Sequence, residues 1–493
     1  MKKQVVFIMV DSQSADMLGC YGNADLNTPC IDELSQNSVT FDRAYTCQPV
    51  CGPARSTIFT GLYPHSNGVW TNSLAPYDNV KTVGQRVRDN GIRAAYVGKW
   101  HLDGGDYFGT GICPDGWDSE YWYDMKTYLD ELTPEERLKS RKVSTMRENI
   151  DREFTYASRC TDRAIDYVDK NADEDFLLVL SYDEPHHPFL CPEPYASMYD
   201  EYTEQPKGGV FDTLEDKPSH QKVWAGERRL VNREKVDSTD RALYACNSFV
   251  DSEIGRVLRE VEKKVPDAMV IYTSDHGEMR NSHCLMGKGP APYDEITRIP
   301  LLIKTPYSGG KRYVHPVSHV DLVPTMLEHF GIDRPQWIEG KSLIPAIKNV
   351  DEKINDEIFI EFGRYEIDHD GFGGFQPMRC VFDGRYKLCI NLLSEDELYD
   401  LDSDPYETRN LISLEETAFV RNALHDKILD WMNVTRDPFR GYYWRMRPWR
   451  TDPFEPTWSY TGFTRQRENE EYEPRQLDYA TGLPMDNATR KKE

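Results

Sequence analysis

Short runs of apolar residues, separated by stretches of helical periodicity, recur through the first 340 residues and constrain the fold more than any other feature. Val5–Val10 is apolar at every position, and Ile92–Val97, Phe176–Tyr182, Ala268–Thr273 and Pro300–Lys304 are dominated by such residues. A strand without a polar face must be covered on both sides, and helices between successive strands can do that by crossing over the sheet. The intervening segments read as those helices. Thr28-Pro29 is an N-cap with a proline at the first helical position, opening a helix through Gln36. Ala54–Gly61, Val83–Asn90, Ser158–Lys170, Thr239–Lys264 and Val320–Phe330 follow, the last closed by Gly331. The expected fold class is α/β, a large, mainly parallel sheet sandwiched by helices.

The pattern changes after about residue 345. Glu357–Phe362, Met378–Phe382 and Arg385–Ile390 read as strands, with Asp383-Gly384 as a hairpin turn, before a helix over Glu415–Met432. This predicts a catalytic α/β domain over 1–345 and a smaller α+β subdomain with an antiparallel sheet over 346–434. Residues 435–493, rich in Trp, Tyr, Arg and Pro, form an extended tail, expected to act as an arm in a homo-oligomer, with Trp444 and Trp449 able to reach a neighbour's pocket. Two stretches, 103–155 and 190–236, show no clear period. Ligands of open α/β sheets sit at the carboxyl ends of the strands, so these insertions are expected to wall the substrate pocket.

Net charge is strongly negative, 59 basic against 83 acidic residues, or −24. That opposes nucleic acid and anionic membranes as partners, but a locally basic pocket can still take a small anion. No segment has the roughly 20 apolar residues of a membrane helix. The apolar run after Lys2-Lys3 is too short for a signal peptide and meets Asp11 with no cleavage site, so a cytoplasmic location is expected. The eleven cysteines contain no CxxC and suggest neither a zinc ribbon nor a disulfide framework.

Chemistry concentrates where strands end. Asp11 follows the first strand directly, and Asp275-His276 follows Ala268–Thr273. Carboxylates and an imidazole converging at one sheet edge can hold a divalent cation: oxygen donors suit Ca²⁺ or Mg²⁺, and the histidine admits Mn²⁺ or Zn²⁺. Cys51 stands in Cys51-Gly52-Pro53-Ala54-Arg55, followed by Gly61-Leu62-Tyr63-Pro64. At a helix N-terminus beside an arginine its thiol is acidified, although a buried cysteine is ordinarily structural.

The whole pattern resembles the sulfatase signature C-x-P-[SA]-R with its trailing T-G-x-x-P. Gly98-Lys99-Trp100-His101-Leu102, Pro185-His186-His187-Pro188, Ser274-Asp275-His276-Gly277 with Gly287-Lys288, and Glu397-Leu398-Tyr399-Asp400-Leu401 are similar, in order, to further elements of that family. The resemblance runs from residue 5 to about 412 and implies a formylglycine-dependent type I sulfatase of the alkaline phosphatase superfamily. It implies that a maturation enzyme converts Cys51 to 3-oxoalanine (formylglycine), whose hydrate attacks sulfur. It also implies that Asp11, Asp275 and His276, with residue 51, hold a divalent metal. Calcium is the expected ion, with manganese, zinc or magnesium also compatible. Arg55, Lys99 and Lys288 would cradle the sulfate, and His186 or Lys288 would protonate the leaving group. His101 would take the proton that lets the hydrate collapse, and Asn72 would donate to the substrate.

Two positions depart from the family pattern. Ser12 stands where a second acidic residue is usual, and Asp275-His276 where Asp-Asn is common; Ser12 or Gln13 is a candidate to complete the shell. The expected substrate is a small sulfate ester or sulfamate, in particular a sulfated sugar. The alternatives are a phosphonate monoester or phosphodiester hydrolase of the same superfamily, and a binding protein that is never matured.

Overall fold

The computed structural model describes residues 2–104, 107–366 and 374–450. Its centre is a seven-stranded sheet in the order Arg93–Gly98, Phe176–Ser181, Gln4–Val10, Met269–Ser274, Leu301–Lys304, Ser38–Phe41, Lys311–Tyr313. The first four strands are mutually parallel. Leu301–Lys304 runs antiparallel to both neighbours, and Ser38–Phe41 pairs in parallel with Lys311–Tyr313. The sheet is therefore α/β and mostly parallel, with one reversed strand. A strand buried on both faces carries no pattern that distinguishes the two directions.

The alternation of the first strand builds two cores. Val6, Ile8 and Val10 face one side and pack with helices Tyr156–Asn171 and Arg241–Lys264. Val5, Phe7 and Met9 face the other and pack with Ile58 and Phe59 of helix Cys51–Thr60 and with helix Leu322–Phe330. Each apolar side chain buried this way stabilises the fold by roughly 1.5–3 kcal/mol, before entropy costs.

The four strands Ile358–Phe362, Met378–Phe382, Tyr386–Asn391 and Glu397–Asp400 form a separate antiparallel sheet, covered by helix Ala418–Val434. Asp383-Gly384 does lie in the turn between its middle strands, with Gly384 at a φ of 100° that a side chain would strain.

Insertion 103–155 contains more order than its sequence suggests. Helices Met125–Asp130 and Pro134–Ser140 are capped by Asp124 and by a Thr133/Glu136 capping box. Residues 435–450 pack on this same chain. Trp444 is buried, Asp437 accepts from Arg379 Nε at 2.6 Å, and Arg447 and Trp449 both donate to Asp396 at 2.8 Å. Trp444 and Trp449 are thus committed to their own subdomain and do not reach outward. The rest of the predicted arm, 451–493, lies outside the described residues. All eleven cysteines are unpaired, and among the described residues no helix is long and apolar enough to cross a membrane.

Candidate active site

Because four central strands are parallel, their carboxyl ends share one edge, and each delivers a functional side chain there. Asp11 follows Gln4–Val10, Asp275-His276 follow Met269–Ser274, Lys99 follows Arg93–Gly98, and Asp183 follows Phe176–Ser181. Gly98, at φ 119°, is required at its turn: a Cβ there would stand 1.9 Å from the Ser181 carbonyl oxygen. Helix Cys51–Thr60 starts at the same edge, with Cys51 at its first turn.

Asp11, Cys51, Asp275 and His276 each present one donor atom, all within 4.8 Å of one another, and all four are buried. Donors that sit about 2.0–2.6 Å from one cation can be separated by up to roughly twice that distance, so this spread fits a single divalent ion. The His276 Nδ1 is 2.9 Å from the Gly277 carbonyl oxygen, which can only accept. Nδ1 therefore carries the hydrogen and Nε2 offers a lone pair to the cluster. Nε2 lies 3.2 Å from Cys51 Sγ and 3.0 Å from Lys288 Nζ. Burial, and then the charge of Asp11, push Asp275 up to about 6. Asp11 itself is held well below the carboxylate range: burial opposes its charge, but Lys99, His186, Lys288 and Arg55 outweigh it. A pair of buried carboxylates strained in this way is what a cation relieves. The donor set fits a divalent metal.

Cys51 is the centre of the cationic side of the site. Lys288 Nζ is 2.8 Å from its sulfur. Burial and Asp11 raise its pKa, but Lys288, Lys99 and His276 lower it further, to about 5. Lys99 Nζ reaches Asp11 Oδ2 at 2.8 Å and Asp183 Oδ1 at 2.9 Å, and these carboxylates keep it charged despite burial. His101, at φ 58°, is buried. Burial first, then Lys99 and Arg55, lower its pKa to about 3, and its Nδ1 has no partner among the described residues. His186 is lowered to about 4, by burial and then Lys99.

One candidate is placed differently from expectation. Arg55 is fully buried, and its donors are committed to the protein. Nε donates to Asp275 at 3.1 Å, Nη2 to Asp11 at 3.0 Å, and Nη1 to the Lys99 carbonyl and Ser181 Oγ at 2.7 Å each. It braces the two carboxylates instead of reaching a sulfate. Asn72 accepts the Gly52 N–H at its Oδ1, at 2.8 Å, which places it beside Cys51 and involves none of its Nδ2 donors. Of the two shell candidates, Ser12 Oγ donates to Asp11 at 2.8 Å, whereas both ends of the Gln13 amide are taken by Asn247 and Tyr272.

Sequence reasoning missed Asp183 and Tyr107. Tyr107 OH donates to Asp183 at 2.6 Å and lies 3.1 Å from His186 Nδ1, and Lys99 Nζ sits 4.0 Å from its ring centre. Asp183 carried the same signal as Asp11, an acid just beyond an apolar strand. Tyr107 lay in an insertion with no period to place it.

The sheet, with this cluster at its carboxyl edge, is alkaline-phosphatase-like. A family model described as Sulfatase matches residues 3–332, and one described as N-sulphoglucosamine sulphohydrolase, C-terminal, matches residues 288–433. The chain is 45% identical over 487 residues to the uncharacterized sulfatase YidJ of Escherichia coli (strain K12), covering 97% of this chain and 96% of that protein. Among solved structures, a protein in complex with its substrate D-glucosamine-2-N,6-O-disulfate superposes with a TM-score of 0.73 at 20% identity, covering 89% of this chain and 99% of the other. The phosphonate monoester hydrolase of Agrobacterium radiobacter gives 0.71 at 21%, covering 87% and 95%. The chain belongs to the sulfatase family and is a sulfuric ester hydrolase.

Proposed function

We propose that this chain removes sulfate from a small sulfated sugar, as an ester or sulfamate, using residue 51 as formylglycine and a divalent cation held by Asp11, Asp275, His276 and residue 51. The observation that carries the reading is the position of Cys51: its sulfur lies 3.2 Å from His276 Nε2, 3.8 Å from Asp11 Oδ1 and 2.8 Å from Lys288 Nζ. A side chain converted at that point lies among cation donors and an ammonium group at once. The structural neighbour complexed with a sulfated glucosamine supports a sugar as substrate. Maturation by a formylglycine-generating enzyme, a cytoplasmic location and the domain limits at 345 and 434 belong to the same reading.

A bound cation would supply Lewis-acid stabilisation of charge at sulfate and acidify an adjacent hydroxyl. The chain's own residues do the rest. Lys99 and Lys288 present fixed positive charge to the sulfate oxygens where water is largely excluded, which makes each worth more than in solution. With residue 51 still a cysteine, its thiolate, Tyr365 and Asp11 keep Lys288 charged against burial, while burial and then Lys99 lower His186 to about 4. Of the two acid candidates, Lys288 is the one holding a proton to give. His101 is buried and neutral, its Nδ1 has no partner among the described residues and its backbone carbonyl lies beside Gly52, so its imidazole is the candidate to accept a proton from residue 51. Arg55 orients the two carboxylates.

The second reading, a phosphonate monoester or phosphodiester hydrolase, is favoured by the imidazole donor of His276 in the cluster. Parallel kinetics on 4-nitrophenyl sulfate and bis(4-nitrophenyl) phosphate decide between them. A higher kcat/KM on the sulfate is expected, and a large preference for the diester would replace the first reading with the second.

A further inference from the structure

Among the described residues of insertion 103–155, Arg141 is the one arginine without an ion pair to a carboxylate. Every other arginine between residues 103 and 163 has a carboxylate partner. Arg137 pairs with Asp130, Arg147 with Asp200, Arg152 with Glu253, and Arg159 and Arg163 with Glu131. Arg141 has none among the described residues. Its one hydrogen bond is from Nη1 to the thioether of Met125, at 3.8 Å.

Its position is equally specific. The half-buried guanidinium stands 5.6 Å from the Tyr107 ring centre and 5.1 Å from that of Phe108. Lys99 Nζ is 4.0 Å from the same Tyr107 ring centre, so the two cationic centres (5.6 and 4.0 Å from one point) are at most 9.6 Å apart. Arg141 also lines a small cleft with Asp183, Glu184 and His186. Asp183 is already committed to Lys99 and Tyr107. A planar fork of donors, held against aromatic rings one residue away from His186, is suited to bidentate recognition of an oxyanion.

We infer that Arg141 is a specificity-determining residue that grips a second anionic group, a carboxylate or another sulfate, on the sugar from which sulfate is removed. The inference rests on the sulfated-sugar reading above. It assigns the substrate class: a sugar bearing two negative groups within the reach of one ring and its substituents.

The test compares wild type with Arg141→Ala and Arg141→Lys on three probes. These are 4-nitrophenyl sulfate, which has no second anion, glucosamine 2-N,6-O-disulfate, and a hexuronate 2-O-sulfate. Arg141→Ala is expected to lower kcat/KM by about 10- to 100-fold on one or both sugars, mainly through KM, and by less than about threefold on the aryl sulfate. Arg141→Lys, which keeps the charge and the packing stem but loses the fork, is expected to recover part of that loss. It also serves if the alanine variant folds poorly. The sugar that suffers identifies the anion as sulfate or carboxylate. Equal losses on all three probes, or aryl turnover with neither sugar used, overturns the assignment and leaves the hydrolase reading standing. No sulfate release from any probe by matured wild type overturns that reading, and the inference with it.

Discussion

Replacing Arg55 distinguishes a residue that holds the site together from one that holds the substrate. In Arg55→Met the side-chain volume is nearly kept, but four hydrogen bonds to Asp11, Asp275, Ser181 and the Lys99 carbonyl disappear. Both carboxylates are fully buried and remain so, without that countercharge. Removing one member of a buried ion pair costs about 3–5 kcal/mol. The lower end applies if Asp275, already raised to about 6, takes up a proton. With an unfolding entropy of about 2.1 cal/mol/K per residue, a cooperative unit of about 400 residues loses roughly 4–6 °C in Tm. The assay is thermal unfolding without substrate, with and without a chelator, and the drop is largest in the chelated protein, where no cation shares the compensation. Arg55→Lys falls between, since one ammonium cannot span both carboxylates. If Arg55→Met leaves Tm unchanged while KM for a sulfate ester rises steeply, the bracing role is wrong and Arg55 contacts the sulfate.

Two further outcomes follow from the buried titratable groups. Burial, and then the Asp183 charge, raise Glu184 to about 8, and its Oε2 has no partner among the described residues. The folded state then keeps a proton that the unfolded chain releases, so stability falls as pH rises from about 4.5 to about 8. Glu184→Gln is expected to flatten that slope in a Tm–pH series, and an unchanged slope would refute it. His101→Gln is expected to lower kcat by about 100- to 10,000-fold with little change in KM. Because His101 titrates near 3, the kcat–pH profile of the wild type should show no histidine limb from it between about pH 5 and pH 8. A limb near pH 6.5 that vanishes in His101→Gln would contradict the assignment.

Strands apolar on both faces were readable because burial leaves only apolar residues there. Phe176–Ser181 and Met269–Ser274 end within a residue of their predicted limits. The short strands Ser38–Phe41 and Lys311–Tyr313 were not, since four and three residues show no period. The Thr133-Pro134…Glu136 capping box is a local signal within insertion 103–155, but the helix it opens is only seven residues long, too short to show a clear period. At the site, Asp11, Asp275 and His276 were visible as acids and an imidazole at strand ends. Which groups Arg55 would touch was not, because a helix position four residues after Cys51 does not tell whether its acceptors belong to the protein or to the substrate. Gln13 illustrates the same limit: its amide is claimed by Tyr272 and Asn247, more than 200 residues away in sequence.

The account turns on residue 51, and one measurement addresses it directly: mass analysis of the peptide containing position 51 from protein made in its native host, paired with turnover of a sulfate ester by Cys51→Ala. The expected result is the mass loss of thiol-to-aldehyde conversion in the wild type, and a fall of about a thousandfold or more in the variant with Tm preserved. An intact thiol in active protein, or a Cys51→Ala variant that works as fast as the wild type, would contradict it.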